Sequence, residues 1–338
     1  MKQMMRTRNV NELRMFQGGI VLVVVAYVFH GLIMRLPEGD RSSMWTGIIT
    51  IYNFFRSLIY PGFAILFLYM LRHKNPGSVF LVILAGLLPL HQIIFLGRRE
   101  VTATFCLTIG LALFFNRRWA PPQWTVLAIL LFTVFALPFT GVYRRIAQDH
   151  DWGELLQIDA KQFFKEYLEE GGNLELKNAA YIIQYAKRTE NYQYGFGYWD
   201  NLVFNFIPAQ IFGEKFKSLL MTKPREFMKE KLSGYYSYTP PTGSTYTGIA
   251  DAFLQFGYWG CLFFFLMGYY FKHLWFASVQ GGSLYTQIFY IQMVSPAMLA
   301  ITHGTINFPA EFFYNLIFLN LLMLYAKKRN VAYLSLSR

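Results

Sequence analysis

Charge is scarce in this sequence of 338 residues. Only 15% of the residues are charged, against about 25% in a typical soluble domain. Hydrophobic residues make up 54% of the chain and aromatic residues 19%. A disordered chain is rich in charge and poor in aromatic residues, so the composition excludes disorder. It also excludes an ordinary water-soluble globule, because the few polar residues cannot cover apolar runs of roughly 20 residues.

Cysteine is also scarce, and several common catalytic motifs are missing. Cys106 and Cys261 both lie inside apolar runs, where they form neither a disulfide framework nor a metal-ligand spacing. The sequence has no phosphate-binding loop ending in Gly-Lys-Ser/Thr, which leaves an ATP-driven motor unsupported. Gly-x-Ser-x-Gly and His-Glu-x-x-His are absent too. The halves of the chain show no internal repeat of the kind that many transporters have.

Eight apolar runs are present, each long enough to cross a hydrocarbon core of about 30 Å as a helix. They span 16–34, 46–71, 78–96, 101–116, 122–140, 250–271, 284–302 and 307–326. The sequence therefore predicts an all-α polytopic membrane protein with about eight transmembrane helices. Residues 1–140 hold the first five helices, 141–249 form one large polar loop, and 250–338 hold the last three helices and a tail. Helix-like patterns at 159–170 and 174–188 predict that the loop is partly helical.

The net charge of +12, from 31 Lys and Arg against 19 Asp and Glu, has an uneven distribution. The loop 141–249 contains 13 basic and 13 acidic residues and is neutral, which argues against a nucleic-acid-binding patch. With the N-terminus in the cytoplasm, the inside segments carry 13 basic residues and the short outside loops carry four. This positive-inside bias predicts cytoplasmic termini and an extracytoplasmic loop.

Two arginines are exceptions to the positive-inside bias. Arg98 and Arg99 lie in a very short outside turn between the third and fourth runs. The planar guanidinium matches phosphate oxygens bidentately, so a diphosphate at the outer membrane surface is a suitable partner. The alternative is that both side chains snorkel to lipid headgroups. Arg144 and Arg145 follow the fifth run and either add to the same cationic group or contact headgroups.

A few other polar residues are candidates for chemistry. Arg56 is costly within the second run and either pairs with Glu311 or contacts a ligand. His303, in an outside turn, is either a general base or a hydrogen-bonded turn residue. Asp251 begins the sixth run and is the second candidate for a base.

Metal chemistry has little support in the sequence. Asp149-His150-Asp151 resembles the paired carboxylates of nucleotide-sugar glycosyltransferases, but so short a pattern arises by chance and is better read as a solvated loop. We therefore predict neither a metal nor a cofactor. Because the outer face has no access to cytoplasmic nucleotides, a transferase there needs a donor that is already activated, such as a lipid-linked diphosphate.

The loop and its flanks resemble Wzy-type O-antigen and oligosaccharide repeat-unit polymerases. Residues 194–199 read Tyr-Gly-Phe-Gly-Tyr-Trp, residues 204–208 read Phe-Asn-Phe-Ile-Pro, and residues 223–224 read Lys-Pro. Pro-Thr-Gly-Ser at 241–244 and Phe-Gly-Tyr-Trp-Gly at 256–260 follow in the same order as in that family. Arg99 and Gly110 resemble the family's Arg-x10-Gly pattern. The resemblance covers roughly residues 95–275.

The resemblance implies a membrane glycosyltransferase of the GT-C type in the bacterial inner membrane, with the large loop in the periplasm. It would join oligosaccharide repeat units carried on undecaprenyl diphosphate, and a chain-length regulator protein is a possible partner. Many members of the family have ten or more spans, whereas this sequence has eight runs. The histidine of the related O-antigen ligases is absent, because Tyr246-Thr247 occupy its position.

The sequence thus predicts a metal-independent polymerase, with named roles for ten residues. Arginines without a metal would stabilise charge on the departing diphosphate. His303 is the first candidate for the base and Asp251 the second. The expected diphosphate-binding residues are Arg98, Arg99, Arg144, Arg145 and Lys223, and the expected sugar-stacking residues are Tyr194, Tyr198 and Trp199. Alternatives are an O-antigen ligase, a non-catalytic polysaccharide or lipid transporter, and a structural subunit of a glycan-assembly complex.

Overall fold

The computed structural model describes residues 10–37, 48–149, 153, 174–222, 228–240 and 244–327. These residues form α-helices and short 3-10 turns but no β-strand, so the predicted all-α class is confirmed for the described part of the chain. An isolated bridge pairs Val10 with Lys327 and brings the two ends of the described chain together.

The helices follow the apolar runs in the first half and become shorter in the polar segment. The first six are α1 Glu12–Met34, α2 Ile48–Arg56, α3 Ile59–His73, α4 Pro76–Ile94, α5 Arg99–Arg117 and α6 Gln123–Asp149. The next five are α7 Leu174–Thr189, α8 Phe196–Phe206, α9 Ala209–Phe212, α10 Glu214–Leu220 and α11 Met228–Tyr236. The last four are α12 Gly248–Phe256, α13 Cys261–Val279, α14 Leu284–Thr302 and α15 Phe308–Ala326.

Six helical segments are long and apolar enough to cross a membrane, as judged over the described residues. They are Glu12–Met34, Ile48–His73, Pro76–Ile94, Gly248–Val279, Leu284–Thr302 and Thr305–Ala326. These correspond to six of the eight predicted runs, and they are the helices of a membrane-embedded protein. The predicted run 101–116 forms α5, whose ends are charged and whose interior contains three threonines. The run 122–140 forms part of α6, of which Gln123–Thr133 is the apolar section described. The count of eight spans stays a prediction.

The second apolar run is broken in the middle, which its apolar pattern did not predict. Pro61 has no backbone N–H, so it cannot donate to the carbonyl one turn earlier. The chain tightens instead, and the N–H groups of Leu58 and Tyr60 donate to carbonyls three residues back, at 3.2 Å each. The result is a turn at Ser57–Leu58 between α2 and α3, within a segment that still has the length of one membrane span.

The freed backbone carbonyl at this break is satisfied from another helix. The carbonyl of Phe54 accepts hydrogen bonds from Ser57 Oγ and from the hydroxyl of Tyr314 on α15, at 2.8 Å each. Ser57 Oγ also lies 2.8 Å from the Tyr314 hydroxyl. Broken helices are tolerated within membranes only where such partners are available. Tyr314 therefore fixes the break against the first half of α15.

The core of the bundle surrounds α3, which packs against α1, α4, α5 and α14. Ile65, Leu66 and Leu68 of α3 are fully buried in it. Association of helices in lipid depends on close packing rather than on a hydrophobic driving force. Small residues allow that packing here, since a Cβ atom at Gly19 or Gly62 would overlap side chains of the facing helix.

The ends of the helices sort into two groups. At the first, which we call the Glu12 end, the Glu12 carboxylate pairs with Arg72 at 2.5 Å and lies 2.9 Å from His73. The N–H of Asn11 donates to Ala326 at the same end. Arg118 donates to the carbonyl of Val279. All of these residues lie in or beside segments predicted to face the cytoplasm, so the structure brings the predicted inside segments to one end of the bundle.

The opposite end, which we call the Asp251 end, gathers the predicted outside segments. The Tyr143 hydroxyl donates to the carbonyl of Ile94 at 2.7 Å. The Thr245 hydroxyl donates to the carbonyl of Thr302 at 3.1 Å. Within the polar loop, α7 packs against α11 and α12 around buried Ile182. The predicted helix at 174–188 is confirmed by α7, whereas the predicted helix at 159–170 lies outside the described residues.

Candidate functional site

Arg98 occupies a tight turn at the Asp251 end of the bundle. Gly97 is buried there with a φ of 56°, a left-handed conformation that favours glycine. The Arg98 N–H donates to the carbonyl of Gln92 at 3.3 Å, which closes the turn after α4. Arg98 is the N-cap residue of α5 and makes no side-chain capping hydrogen bond. Its half-buried side chain is therefore left to other partners.

Arg56 ends α2 at the break and lies within electrostatic range of Arg98. Both side chains are half-buried, and they come from segments 42 residues apart in the chain. Two like charges repel each other in this setting unless an anion lies between or beside them. Neighbouring carboxylates or a bound anion would offset this repulsion.

Two carboxylates lie beside the arginines. Glu100 in the first turn of α5 interacts electrostatically with Glu311 in the first turn of α15. Tyr60 lies within electrostatic range of Glu100, Glu311, Arg56 and Arg98, so it marks the middle of the group. Glu311 is exposed in the first turn of α15. We call these five residues, Arg56, Tyr60, Arg98, Glu100 and Glu311, the charged crevice.

Polar contacts between helices hold the segments that carry the residues of the charged crevice. Thr104 Oγ1 on α5 lies 2.6 Å from Ser295 Oγ on α14. Gln292, also on α14, donates to the carbonyl of Tyr60 at 3.4 Å. Hydrogen bonds between helices of this kind hold neighbouring backbones in register within a membrane. The position of Tyr60 is thus set by α14 as well as by its own helix.

The pairing of Arg56 with Glu311, one of the two alternatives from the sequence, is absent. Among the described residues, ion pairs within 4.0 Å form only between Glu12 and its partners Arg72 and His73. Arg56 and Glu311 both lie near Tyr60 but not in contact with each other at ion-pair distance. Contact between Arg56 and a ligand, the other alternative, stays a prediction.

The remaining residues of the predicted cationic group are spread over the Asp251 end. Arg99 is exposed in the first turn of α5, beside Arg98. Arg145 is exposed near the end of α6, and Arg144 precedes it in the same helix. Lys223 lies outside the described residues. The sequence pattern did not assign Arg56 to the diphosphate, but the structure places it within electrostatic range of Arg98.

Asp251 holds together a junction between two helices. Its Oδ2 accepts hydrogen bonds from Thr305 Oγ1 and from the backbone N–H of Ile306, each at 2.8 Å. Thr305 is fully buried, and its hydroxyl also lies 2.8 Å from the hydroxyl of Tyr198. A carboxylate that accepts two such bonds is well suited to fix a turn, and this occupied oxygen argues for a structural role.

Removing the Asp251 carboxylate is expected to destabilise the protein rather than to change its chemistry selectively. Asp251→Ala leaves the buried Thr305 hydroxyl and the Ile306 N–H without their acceptor, which costs about 1–3 kcal/mol. The measurement is thermal unfolding of the purified protein in detergent. The matched control is Asp200→Ala, because Asp200 Oδ1 accepts from the N–H and hydroxyl of Thr222 at an exposed site. Equal unfolding temperatures for the two variants would contradict the structural role.

His303, the first candidate for the base, lies at the end of α14. It is exposed, and its Nδ1 lies 2.8 Å from the hydroxyl of Thr302. The next residue, Gly304, precedes the short 3-10 turn Thr305–Asn307, whose first residue donates a hydrogen bond to Asp251. His303 therefore lies at the Asp251 end of the bundle, the end that holds the charged crevice, and a hydrogen bond to Thr302 holds it in place.

The three predicted sugar-stacking aromatic residues have different environments. Tyr194 is 67% exposed, and Trp199, 49% exposed, donates its indole N–H to the carbonyl of Leu220 at 2.9 Å. Tyr198 is half-buried and stacks on Phe263 with ring centroids 5.6 Å apart. Burial raises the pKa of Tyr198, so its hydroxyl stays protonated. Tyr194 and Trp199 retain exposed ring surface, whereas Tyr198 is used in packing.

The described residues contain no group of three or more His, Cys, Asp or Glu side chains arranged to hold a metal ion. Asp149 ends α6, and Asp151 lies outside the described residues. The two crevice carboxylates, Glu100 and Glu311, were not predicted as a pair. The signal that identified Arg56, a charge inside an apolar run, also applies to Glu311, which follows the start of the last run by four residues.

Comparisons with protein-family models, curated proteins and solved structures find no match to this chain. The chemistry of the charged crevice and the geometry of the Asp251 end are thus the basis for a functional proposal.

Proposed function

We propose that the protein polymerises oligosaccharide repeat units carried on undecaprenyl diphosphate, at the outer face of a bacterial inner membrane. The observation that supports this most strongly is the electrostatic proximity of Arg56 and Arg98, neither of which forms an ion pair within the described chain. Two guanidinium groups at one site suit a diphosphate, which offers several oxygens for bidentate contacts. The amides at the start of α5 add a partial positive charge beside Arg98.

The reaction transfers a glycan from a leaving diphosphate to an acceptor hydroxyl. A bond forms between the acceptor oxygen and the anomeric carbon of the donor sugar, and the bond from that carbon to the phosphate oxygen breaks. The electron pair of the broken bond remains on undecaprenyl diphosphate, and the hydroxyl proton passes to a base. Arg56 and Arg98 stabilise the charge that develops on the diphosphate, and this requires no metal.

Glu311 is the base that the charged crevice supports best. It is exposed, and it interacts electrostatically with Tyr60, which also interacts with both arginines. The carboxylate of Asp251 is occupied by the turn at Thr305 and Ile306. His303 remains the second candidate, because it is exposed at the same end of the bundle. A base must reach the acceptor hydroxyl, which lies next to the donor. We therefore rank Glu311 above His303, because Glu311 is closer to the arginines that would hold the donor.

Substitution of the turn arginines tests the diphosphate contact. Lysine keeps the positive charge but lacks the planar guanidinium that binds phosphate bidentately. Arg98→Lys is therefore expected to lower the polymerisation rate by about 10²-fold. The resemblance of Arg99 and Gly110 to the Arg-x10-Gly pattern favours Arg99 as the more sensitive position, whereas the proximity of Arg56 favours Arg98. Arg145→Lys is the milder control, since that exposed residue lies on another helix. The readout is the ladder of repeat lengths in a complemented deletion strain, with protein levels checked by blot.

The same ladder separates the proposed polymerase from its rivals. A deletion strain with single-repeat lipid-linked glycan supports a polymerase. Loss of all repeats indicates an O-antigen ligase or a polysaccharide exporter, and an unchanged ladder contradicts all of these functions. Normal ladders from both Arg98→Lys and Arg99→Lys would favour contact with lipid headgroups instead.

We further propose eight spans, with both termini in the cytoplasm and residues 141–249 in the periplasm. The proposal is supported by the positive-inside bias and by the grouping of Glu12, Arg72 and Val279 at one end. Reporter fusions at Arg72 and Asn116 are expected to show a cytoplasmic location. Fusions within 174–222 are expected to show a periplasmic one. A cytoplasmic signal from that range would contradict both the topology and the placement of the charged crevice.

A further inference from the structure

Helices α8 and α10 form a helical hairpin within the polar loop. The Lys217 amino group donates to the carbonyl of Phe204 at 3.1 Å and lies 4.4 Å from the centroid of that ring. Nearer the open end, the Trp199 indole N–H donates to the carbonyl of Leu220 at 2.9 Å. Later residues of α10 thus pair with earlier residues of α8, so the two helices run antiparallel. We call residues 196–220 the hairpin.

The hairpin lies at the end of the bundle where α13 and α15 begin. Tyr198 of α8 stacks on Phe263 in the first turn of α13, with ring centroids 5.6 Å apart. Asn201 donates to the carbonyl of Ile306, just before α15, at 2.9 Å. The helices α13 and α15 have 19 residues each, enough to cross a hydrocarbon core of about 30 Å. Their first residues therefore lie close to the boundary between membrane and water, and α8 lies there with them.

The closed end of the hairpin reaches a third helix. The ring of Phe206 packs edge-on against the ring of Phe54 in α2, with centroids 5.7 Å apart. Phe206 also packs against the main core of the bundle. The chain then turns through Ile207 and Pro208 into α9. The hairpin is therefore fixed against the ends of three bundle helices rather than projecting from them into water.

The surface that the hairpin leaves uncovered is apolar. Leu219 is 82% exposed and Ile211 is 66% exposed, and Phe212 and Phe216 are exposed as well, with ring centroids 6.0 Å apart. A group of large apolar side chains is unfavourable in water. At a membrane surface the same side chains are stabilised, because the boundary between headgroups and acyl chains accepts the apolar face of an amphipathic helix.

Basic residues accompany this apolar surface. Lys215 is exposed in α10. Residues 209–225 contain four basic residues and one acidic residue, Glu214, whereas the rest of the loop 141–249 contains more acidic than basic residues. Positive charge beside an apolar helix face is attracted to the phosphate groups of lipid headgroups. The charge of this segment therefore matches a lipid surface.

We propose that the hairpin is an interfacial membrane anchor. Its exposed apolar residues insert into the lipid leaflet at the Asp251 end, and Lys215 lies among the headgroup phosphates. The inserted residues are Ile211, Phe212, Phe216 and Leu219. The hairpin enters and leaves the leaflet from the same side, so the sidedness proposed for the loop is unchanged. This inference goes beyond the proposed reaction and holds whichever compartment the Asp251 end faces.

The test compares two exposed leucines of the loop, Leu219 on the hairpin and Leu176 on α7. Each is replaced by cysteine in a full-length protein that has alanine in place of Cys106 and Cys261, and is labelled with the fluorophore NBD. The proteins are placed in nanodiscs of phosphatidylcholine and phosphatidylglycerol. Doxyl-labelled lipid is expected to quench the label at 219 about tenfold more strongly than that at 176, because this quencher is confined to the bilayer. Aqueous iodide is expected to give the opposite order.

Two further labelled positions complete the comparison. Phe265→Cys, on the exposed face of α13, gives the quenching of a label in full contact with lipid. Ile211→Cys is a second probe of the hairpin and is expected to behave like Leu219→Cys.

Two results would overturn the anchor. Strong quenching by iodide with weak quenching by lipid at both 211 and 219 would place the hairpin in water. Protection of both labels from both quenchers would show that protein covers this surface. The labelled proteins need no substrate, so the outcome is separate from that of the polymerisation ladder. A failed anchor leaves the proposed polymerase in place, and an unchanged ladder leaves the anchor in place.

Discussion

Arg56→Lys is expected to lower the polymerisation rate by about 10²–10³-fold while leaving the protein folded and in the membrane. Arg56 is half-buried at the break between α2 and α3, within electrostatic range of Arg98 and Tyr60. The Phe54 carbonyl at this break is satisfied by Ser57 and Tyr314, so the backbone does not depend on the arginine side chain. Lysine preserves the positive charge, and the loss therefore measures the bidentate contact.

The control for Arg56→Lys is Arg118→Lys. Arg118 follows α5 at the Glu12 end, where it is exposed and donates to the carbonyl of Val279 at 2.8 Å. The same chemical change at that position is expected to leave the ladder close to that of the native protein. Repeat-length ladders, single-turnover rates with purified lipid-linked substrate and blotted protein levels provide the comparison. A normal rate for Arg56→Lys would show that the crevice does not bind the diphosphate through this residue.

Glu311→Gln is expected to reduce the rate by about 10²–10⁴-fold, which is the usual contribution of a general base. Glutamine has nearly the same shape but cannot accept the proton of the acceptor hydroxyl. The exposed position of Glu311 makes the substitution compatible with folding, since its side chain is not packed in the core. The assay is a single-turnover reaction with a saturating donor, so that the chemical step is measured rather than binding.

Two further variants identify which group removes the proton. Glu100→Gln changes the other crevice carboxylate and is expected to cause a smaller loss, by altering the field around Glu311. His303→Gln is also expected to cause only a small loss, because His303 lies at the end of α14 with its Nδ1 beside Thr302. A large loss in His303→Gln together with a native rate in Glu311→Gln would reverse the assignment and make His303 the base.

The break in the second run illustrates what an apolar pattern leaves out. Residues 46–71 have the composition of one span, and the structure does preserve a span of that length. Pro61 is visible in the sequence, but proline within a membrane helix is compatible with several local geometries. The hydroxyl of Tyr314, more than 250 residues away, is one of the two groups that satisfy the freed carbonyl. A partner that distant along the chain cannot be inferred from local pattern.

Asp251 is a similar case at the candidate site. Its position at the start of an apolar run made it a candidate for a base. The structure shows the carboxylate accepting from Thr305 and Ile306, in a turn 54 and 55 residues later. An acidic residue that binds substrate and one that fixes a turn have the same sequence signature. The difference lies in which backbone amide comes within hydrogen-bond distance, and only tertiary packing decides that.

The sequence by itself determined the helical class, the location of most membrane-length helices, and the grouping of the predicted inside and predicted outside segments at opposite ends of the bundle. These properties follow from run length and charge, which act locally through backbone hydrogen bonding and the cost of charge in lipid. Only the tertiary structure decided that Arg56 lies near Arg98, that Glu311 lies near Glu100, and that Arg56 and Glu311 do not pair. Those relations depend on how α2, α5 and α15 pack around α3 and α14, because electrostatic interactions act over a few ångströms in space whatever the separation along the chain.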